Sequence, residues 1–315
     1  MRRTLAAAAI VLAAGLAGCG GGSDDDIEVA PAPPPAPLTL AVIGDTPYGE
    51  EQEAAFPALV EAIDRSGDVD LVLHVGDIKT GSSTCSAQRF RRLRRLFQTF
   101  AVPFVYTPGD NEWTDCHRPE AGGHDPQERL ALLRRTFYPR PGRSLGDRPL
   151  RVESQSSQRG FEPFVENALW TAQRVVFATV HVVGSDNGRD LEGGRRAFRQ
   201  RLAAALAWID RTFRQAARPT TKGVAIALHA DMFAAPPSPA FEAVIRRLEQ
   251  RAAAFDGPVL LLNGDTHRYR LDRPFETAPN LTRIVVQGET TKEWLRVDVD
   301  PRAPRVFSWD RLPAR

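Results

Sequence analysis

The chain has 315 residues, of which 42% are hydrophobic and 25% charged, a composition typical of a globular protein with room for one large domain. The formal net charge is only +2, which argues against a nucleic-acid-binding surface. The most basic run, "RFRRLRRLF" from Arg89 to Phe97, has apolar residues at helical spacing and is interpreted as an amphipathic helix with a solvated basic face.

The first residues have the pattern of an export signal. Arg2 and Arg3 precede the apolar run "LAAAAIVLAAGLAG", which is short for a membrane span and ends at "LAGC". This ending resembles a bacterial lipobox, so residues 1–18 are predicted to be a lipoprotein signal peptide and Cys19 to carry lipid. A plain secretory signal is the alternative. The lipid would anchor the protein in the bacterial cell envelope, on its periplasmic or extracellular face.

A segment rich in glycine, aspartate and proline follows. "GGGSDDDIEVAPAPPPAP" has little to bury, so residues 19–37 are predicted to form a flexible tether and residues 38–315 one folded domain. The other cysteines are Cys85 and Cys116, both in loop-like sequence. Because an exported protein meets an oxidising environment, these two are predicted to form a disulfide, the alternative being two unrelated thiols.

Strand and helix patterns alternate in the first part of the predicted domain. They are strand Leu38–Ile43, helix Glu51–Arg65, strand Asp70–Val75, helix Ser86–Phe100, strand Pro103–Tyr106 and helix Pro126–Phe137. Consecutive units of this kind predict a parallel sheet with right-handed crossovers.

The rest of the chain is richer in strands. The strand patterns are "LRVESQS", "ALWTAQ", "RVVFATVHVVGS", "KGVAIALHAD", "PVLLLNGD", "TRIVVQG", "LRVDVD" and "PRVFSW". Helices are predicted over Leu191–Ala217 and Pro239–Phe255.

Four apolar runs end in Gly-Asp, at Asp45, Asp77, Asp110 and Asp265. The first three aspartates lie 32 and 33 residues apart, the length of one βαβ unit. Two more Gly-Asp pairs, ending at Asp68 and Asp147, lie in ordinary turn sequence, and turn chemistry is the alternative explanation for the others. Ligands of open α/β sheets bind at the carboxyl ends of strands, where four carboxylates would repel each other unless a cation lay among them.

Two histidines accompany these aspartates. His229 ends a strand pattern, and His267 follows Asp265 by two residues. A mixture of aspartate and histidine is the usual ligand set for Zn, Mn or Fe. The two kinds of residue together therefore indicate a metal site.

Five stretches in chain order, GDTP, GDIK, PGDNE, LHAD and NGDTH, resemble the five blocks of the calcineurin-like metallophosphoesterases. Those blocks read D-x-H, G-D, G-N-H-D/E, a lone H and G-H-x-H. The resemblance runs from Leu38 to about Arg268. It implies a four-layer α/β/β/α sandwich, in which two mixed β-sheets pack face to face and helices flank them.

The resemblance also implies a set of metal ligands. Asp45 matches the first ligand of one metal and His267 its last ligand. Asp77 matches the carboxylate that bridges two metals, and His229 matches a ligand of the second metal. Two divalent ions are therefore expected.

Several positions depart from the family pattern. Asp110 stands where the family has asparagine, and Asp265 replaces the first histidine of G-H-x-H; carboxylate is a plausible ligand at both. Asn111 replaces the histidine that helps to protonate the leaving group. A shift by one residue, with Asn111 as ligand and Glu112 as acid/base, stays open.

Pro47 stands where D-x-H has its histidine, so one metal lacks a protein ligand. An extra water, or Tyr48, could fill that position. The changes make the site more anionic than the family pattern, which favours Mn, Mg or Fe over two Zn ions. Lys79 and Arg268 are candidates for binding the phosphoester.

The expected function is hydrolysis of a phosphate mono- or diester, such as a phosphorylated small molecule, by a metal-bound hydroxide at a dinuclear site. His117 and His124, in the loop after the third block, are further candidates for the general acid. The alternative is a catalytically weak relative that binds a phosphorylated ligand or supports an envelope assembly.

Overall fold

Two β-sheets pack against each other, and helices cover their outer faces. The computed structural model describes residues 37–235 and 238–314, which belong to one compact unit. The predicted signal peptide 1–18, the predicted lipid site Cys19 and all but the last residue of the predicted tether 19–37 lie outside the described residues.

The first sheet has five strands, three of which run parallel. They are β1 (Leu38–Ile43), β2 (Leu71–His74), β3 (Phe104–Tyr106), β11 (Glu293–Val299) and β12 (Phe307–Pro313). Their order is β12-β11-β1-β2-β3. β1, β2 and β3 pair in parallel, as the spacing of the Gly-Asp pairs predicts, whereas β11 pairs antiparallel with β1 and β12.

The second sheet has seven strands and is also mixed. They are β4 (Glu153–Ser154), β5 (Ala168–Ala172), β6 (Val175–Thr179), β7 (Gly223–Ala227), β8 (Val259–Asn263), β9 (Arg270–Asp272) and β10 (Leu281–Val285). Their order is β4-β5-β6-β7-β8-β10-β9. The four strands β6, β7, β8 and β10 are parallel, and antiparallel strands lie at both edges.

Helices lie on both outer faces. They are α1 (Gly49–Arg65), α2 (Ala87–Phe97), α3 (Pro126–Phe137), the single turn α4 (Gly184–Asn187), α5 (Arg195–Ala216) and α6 (Glu242–Ala253). Within the part of the chain that the structure describes, no helix combines the length and apolar character needed to cross a bilayer.

Strand β1 shows how the layers are held together. Leu40 and Val42 point into the core between the sheets, where they join Phe177 and Leu260 of the second sheet. The alternate residue Ala41 packs instead in the core under the helices of the first sheet. Because both faces of a central strand are buried, its sequence is a continuous apolar run rather than an alternating one. The predicted four-layer sandwich is confirmed.

Helix α2 confirms the interpretation of the basic run. Phe90, Leu93 and Phe97 are buried on one face. On the other face Arg91, Arg92 and Arg95 are exposed, while Arg92 Nε also donates to Glu53 Oε2 at 2.7 Å. Ser86 caps the helix, since its Oγ accepts from the backbone N–H of Arg89 at 3.2 Å.

Two predicted elements, one helix and one strand, are shorter in the structure than their sequence patterns indicate. The helix predicted from Leu191 begins only at Arg195, after the pair Gly193-Gly194. Glycine costs about 1 kcal/mol more than alanine in a helix interior, so this pair resists continuation of the helix toward its amino end. The strand predicted in "LRVESQS" is reduced to the two residues of β4.

The predicted disulfide between Cys85 and Cys116 is confirmed. It joins residues 31 positions apart, with Cα atoms 5.7 Å from each other. Both sulfur atoms approach the backbone oxygen of Asn111, at 3.7 and 3.8 Å. The bond thus ties the loop after β2 to the loop after β3.

Replacing both Cys85 and Cys116 by alanine should lower the free energy of unfolding by about 3–4 kcal/mol. The reason is that the cross-link restricts the unfolded chain over a loop of this length. Urea denaturation of the variant measures the loss. Reduced wild-type protein should show the same loss, and reductant should leave the variant unchanged; equal stability of the oxidised wild type and the variant would contradict the expectation.

Candidate metal centre

The carboxyl ends of strands from both sheets meet at one end of the sandwich. Asp45, Asp77 and Asp110 follow β1, β2 and β3 of the first sheet. His229 and Asp265 follow β7 and β8 of the second. The aspartates that lie far apart in sequence are therefore neighbours in space.

The backbone at these aspartates is unusual. Asp45, Asp77 and Asp265 have φ angles of 52°, 57° and 81°, in the left-handed region that non-glycine residues seldom adopt. Such conformations cost about 1–3 kcal/mol each and cluster at functional sites. His267 adds a fourth, with φ of 59°.

The glycines of the Gly-Asp pairs make space for carboxylates. A Cβ at Gly109 would lie 2.0 Å from Asp77 Oδ1, and one at Gly264 would lie 2.4 Å from Asp45 Oδ2. Each of these glycines thus allows the carboxylate of another pair to approach. Turn chemistry alone does not explain these Gly-Asp pairs. At these two positions glycine is required because a carboxylate lies so close to the backbone, and not because of the backbone angle.

The predicted ligands form two clusters that share one residue. Asp45, Asp77 and His267 make the first cluster, and Asp77, Asp110 and His229 make the second. Within each cluster one ligand atom per residue lies within 4.8 Å of the others. Asp77 belongs to both, at the position where the resemblance implies a bridging carboxylate.

His229 indicates that a cation belongs in the second cluster. Its Nδ1 lies 2.9 Å from the carbonyl oxygen of Val75, which can only accept, so Nδ1 carries a proton. Its Nε2 lies 3.0 Å from Asp110 Oδ1 and 3.3 Å from Asp77 Oδ1. His229 Nε2 and Asp110 Oδ1 are buried without a hydrogen-bond partner. An imidazole nitrogen and carboxylate oxygens converging in this way fit a divalent metal ion.

The pKa values of the side chains in the site also indicate that cations belong here. Burial, only partly offset by His229, and repulsion by neighbouring carboxylates raise the pKa of Asp45, Asp77 and Asp265. Burial lowers the pKa of His229, but Asp77 and Asp110 outweigh it and raise that pKa well above its usual value. Without cations the protein would have to hold protons here, and with cations all the carboxylates can ionise.

Asp265 contacts Asp45 of the first cluster and lies near His229 of the second. Its backbone N–H donates to Asp45 Oδ1 at 3.1 Å, and its Oδ2 accepts from the backbone N–H of Asp231 at 2.9 Å. Its Oδ1 lies 3.9 Å from His229 Nε2. Asp265 therefore lies beside the second cluster, with one oxygen free to face a metal ion.

The two residues predicted to act in catalysis have different surroundings. Asn111 lies at the centre: its backbone N–H donates to Asp77 Oδ1 at 3.0 Å and its Nδ2 to the Tyr48 hydroxyl at 2.9 Å. Glu112 is fully buried, and its Oε1 accepts from Tyr106 Oη and from the Gly109 N–H, both at 2.6 Å. Burial, with the charge of Asp77, raises the pKa of Glu112 to about 7.

The two residues predicted to bind substrate differ in their exposure to solvent. Lys79 is fully buried, and its ammonium donates to the backbone oxygens of Asn111 and Thr80, at 2.5 and 2.8 Å. Burial lowers the pKa of Lys79 to about 8. Its charge thus supports the loop after β3 and faces away from solvent. Arg268 is exposed next to His267, where it is open to solution.

Ser185, in α4, supports the second cluster although it belongs to none of the five family-like blocks. Its Oγ lies 2.7 Å from Asp110 Oδ2, to which it donates. Ser185, Asp186 and Asn187 have φ angles of 48°, 53° and 52°, so the turn is left-handed. A Cβ at Gly184 would lie 2.6 Å from Asp110 Oδ1 and 2.7 Å from Asp265 Oδ1. The sequence "GSDNG" carries a signal, since glycine, asparagine and aspartate tolerate this conformation best.

Helix α5 holds the end of this turn. Arg201 is buried over the ring of Trp113, 4.4 Å from its centroid, and its Nη2 donates to the backbone oxygen of Asn187 at 2.6 Å. Burial lowers the pKa of Arg201 to about 9. The stacked guanidinium links α5 to the loop after β3, which carries Trp113 and Asp110.

A cleft of about 800 Å³ is lined by Ser185 and by Thr114 and Asp115 of the loop after β3, but by none of the predicted metal ligands. His117 and His124, the further candidates for general acid, both line it. His117 Nδ1 lies 2.7 Å from the carbonyl oxygen of Thr114, which leaves Nε2 for contacts in the cleft. A cleft of this size has room for a small organic molecule.

Comparison with known proteins identifies the class. A family model described as calcineurin-like phosphoesterase matches residues 38–269, so the chain belongs to that family. Its members hydrolyse phosphoesters with divalent metal ions, and this chain is a metallophosphoesterase. No curated protein matches the chain at a significant level.

Solved structures support the fold. A dimetal phosphatase from Danio rerio is 12% identical, with a TM-score of 0.52, over 88% of this chain and 99% of that one. GAP50, described as the anchor in the inner membrane complex of Plasmodium, is 8% identical, with a TM-score of 0.52, over 89% of each chain. A purple acid phosphatase from yellow lupin (Lupinus luteus) seeds is 10% identical, with a TM-score of 0.51, over 89% of this chain and 54% of that one.

Ser185→Ala should weaken metal binding in the second cluster by about 10- to 100-fold, the range for removing a partner that orients a ligand. The reason is that Asp110 Oδ2 loses its hydroxyl donor. Titration of metal-stripped protein with Mn²⁺ measures the change. Ser66→Ala, which removes a hydroxyl bonded to the backbone oxygen of Ile63, is the control. Equal affinities in both variants would contradict the role given to Ser185.

Glu166 is a buried carboxylate outside the two clusters, and it should make the stability of the protein sensitive to acid. Its carboxylate accepts from His181 Nδ1 at 2.6 Å and from Arg134 Nε at 2.9 Å. Burial raises the pKa of Glu166, but Arg134 and His181 outweigh it and lower the pKa to about 2. A depressed carboxyl pKa gives stability that is present above the ordinary value of about 4.5 and lost as pH falls toward 2.

Glu166→Gln should therefore lower the free energy of unfolding at neutral pH, by up to about 3 kcal/mol, and flatten its fall between about pH 4.5 and pH 2. Urea denaturation at a series of pH values measures both. The exposed Glu276 offers the control variant Glu276→Gln, which should keep the wild-type slope. The same slope in Glu166→Gln would show that this carboxyl does not set acid stability.

Proposed function

We propose that the chain hydrolyses a phosphate mono- or diester at a centre of two divalent metal ions. The observation that carries the proposal is Asp77, which belongs to both ligand clusters. A carboxylate shared between two clusters is the arrangement that holds two cations close enough to act on one phosphoryl group.

The donor set supports the choice of metals. Asp45, Asp77 and His267 would hold one ion, and Asp77, Asp110 and His229 the other, with Asp265 beside the second. When bound, two divalent ions would activate a water molecule and neutralise charge on the phosphoryl oxygens. A set of four carboxylates and two imidazoles favours Mn²⁺, Mg²⁺ or iron over two zinc ions.

The chain's own residues orient the centre and receive the leaving group. The Asn111 N–H and the Val75 carbonyl oxygen hold Asp77 and His229 in place. His117 or His124 would deliver the proton to the leaving group from the adjoining cleft. Arg268 is the exposed cation nearest in sequence to His267 and would attract the phosphoester.

We further propose that the protein works outside the cytoplasm, anchored by lipid on Cys19. The lipobox-like sequence supports this location. The Cys85–Cys116 disulfide agrees with it, because disulfides persist in oxidising compartments.

Purified protein should bind two Mn²⁺ and hydrolyse p-nitrophenyl phosphate or bis-p-nitrophenyl phosphate. Asp77→Asn should lose both ions and lower kcat/KM by more than about 100-fold, since it removes a direct ligand of each cluster. Metal analysis and the two assays measure these effects, and the preference between the two substrates distinguishes monoesterase from diesterase activity.

Asp147→Asn is a matched control, because Asp147 also follows a glycine but lies exposed outside the centre. It should keep metal and turnover. Protein that binds no metal, shows no turnover with added Mn²⁺ and is indifferent to Asp77→Asn would contradict the proposal. Binding of a phosphorylated ligand without turnover would favour the non-catalytic alternative.

A further inference from the structure

The Tyr48 hydroxyl lies at the junction of the first cluster and the third Gly-Asp loop. It is 2.9 Å from Asp77 Oδ2, 2.9 Å from Asn111 Nδ2 and 3.3 Å from His267 Nε2. The ring meets the imidazole of His267 edge-on, with centroids 5.3 Å apart. The side chain is 8% exposed, so the surrounding protein holds it there.

The direction of each hydrogen bond follows from the groups involved. A carboxylate only accepts, so the Tyr48 hydroxyl donates its single proton to Asp77 Oδ2. The Asn111 amide then donates to the Tyr48 oxygen. Tyr48 thus links the second carboxylate oxygen of Asp77 to the side-chain amide of Asn111, whose backbone N–H already donates to the first.

The backbone before α1 orients this side chain. Tyr48 N–H donates to Gln52 Oε1 at 2.8 Å, and Thr46 Oγ1 bonds the same oxygen at 3.1 Å. One glutamine of the helix therefore fixes the residues on both sides of Pro47. Position 47 has no side chain that could reach a metal, and the next residue reaches into the cluster in its place.

We propose that Tyr48 is a positioning residue that compensates for the absent histidine at position 47, by fixing Asp77 and His267 for the first metal ion. The inference rests on the proposed dinuclear centre. For Asp77 Oδ2 and Asn111 Nδ2, the Tyr48 hydroxyl is the hydrogen-bond partner that the described residues provide. Its removal would leave a buried carboxylate oxygen and a buried amide without one, which lets Asp77 turn away from His267.

Tyr48→Phe tests this with the ring retained. Metal-stripped full-length protein is titrated with Mn²⁺ by calorimetry, and the loaded protein is examined by electron paramagnetic resonance. Wild type should bind two ions and give the signal of a coupled pair. The variant should bind one ion as tightly as wild type and the other about 10- to 100-fold more weakly, with the signal of isolated Mn²⁺ at the same loading.

Tyr138→Phe is the control, because the Tyr138 hydroxyl donates to the backbone oxygen of Tyr106 at 2.9 Å and not to a ligand. It should behave as wild type. The inference is overturned if Tyr48→Phe gives the wild-type titration and signal. It is also overturned if both ions are lost together with a lower melting temperature of the metal-free protein, since the role would then be structural.

The titration of wild type tests the proposed dinuclear centre, and its comparison with Tyr48→Phe tests the role of Tyr48. If wild type itself fails to bind two Mn²⁺, the dinuclear proposal fails and the inference fails with it. If wild type binds two and Tyr48→Phe does not differ from it, only the role of Tyr48 is lost. Kinetics provide a further readout, since weaker occupancy of one metal position should lower kcat more than it raises KM when Mn²⁺ is limiting.

Discussion

Repulsion between buried carboxylates is the constraint on which this site depends. Asp45, Asp77 and Asp110 are buried, and the half-buried Asp265 lies beside them. Three of the four are held in left-handed backbone conformations. Both features disfavour folding unless something offsets them. Divalent cations would do so directly, and His229, whose pKa the neighbouring carboxylates raise, can take up a proton in their absence. The same constraint explains the glycines around the site, because they allow the carboxylates to come close enough to share a cation.

The sandwich brings the ligands together from both sheets. β1, β2 and β3 supply the aspartates of the first sheet, while β7 and β8 supply His229 and Asp265 from the second. The apolar core between the sheets fixes the distance between these strand ends. Interactions behind the ligands, such as Ser185 with Asp110, then set the orientation of single side chains. The rigid layers thus determine where the site lies, and loop contacts determine its detailed geometry.

Much of this architecture could be predicted from the sequence because it depends on local and periodic signals. The regular interval between Asp45, Asp77 and Asp110 reflects consecutive βαβ units, and apolar runs reveal buried strands. Ser185 could not be found in this way, since its contact with Asp110 spans 75 residues. The burial of Lys79 cannot be predicted for the same reason, since its ammonium donates to a backbone oxygen 32 residues away in the chain.

The backbone oxygen of Asn111 has a consequence for how the protein acquires its metals. The ammonium of Lys79 donates to this oxygen, and both sulfur atoms of the Cys85–Cys116 disulfide lie close to it. None of these contacts involves a metal ligand atom. Part of the loop that presents Asp110 is therefore held by contacts that do not involve a metal ligand. Because these contacts would hold this part of the loop before a cation binds, its ordering would take little from the free energy of binding.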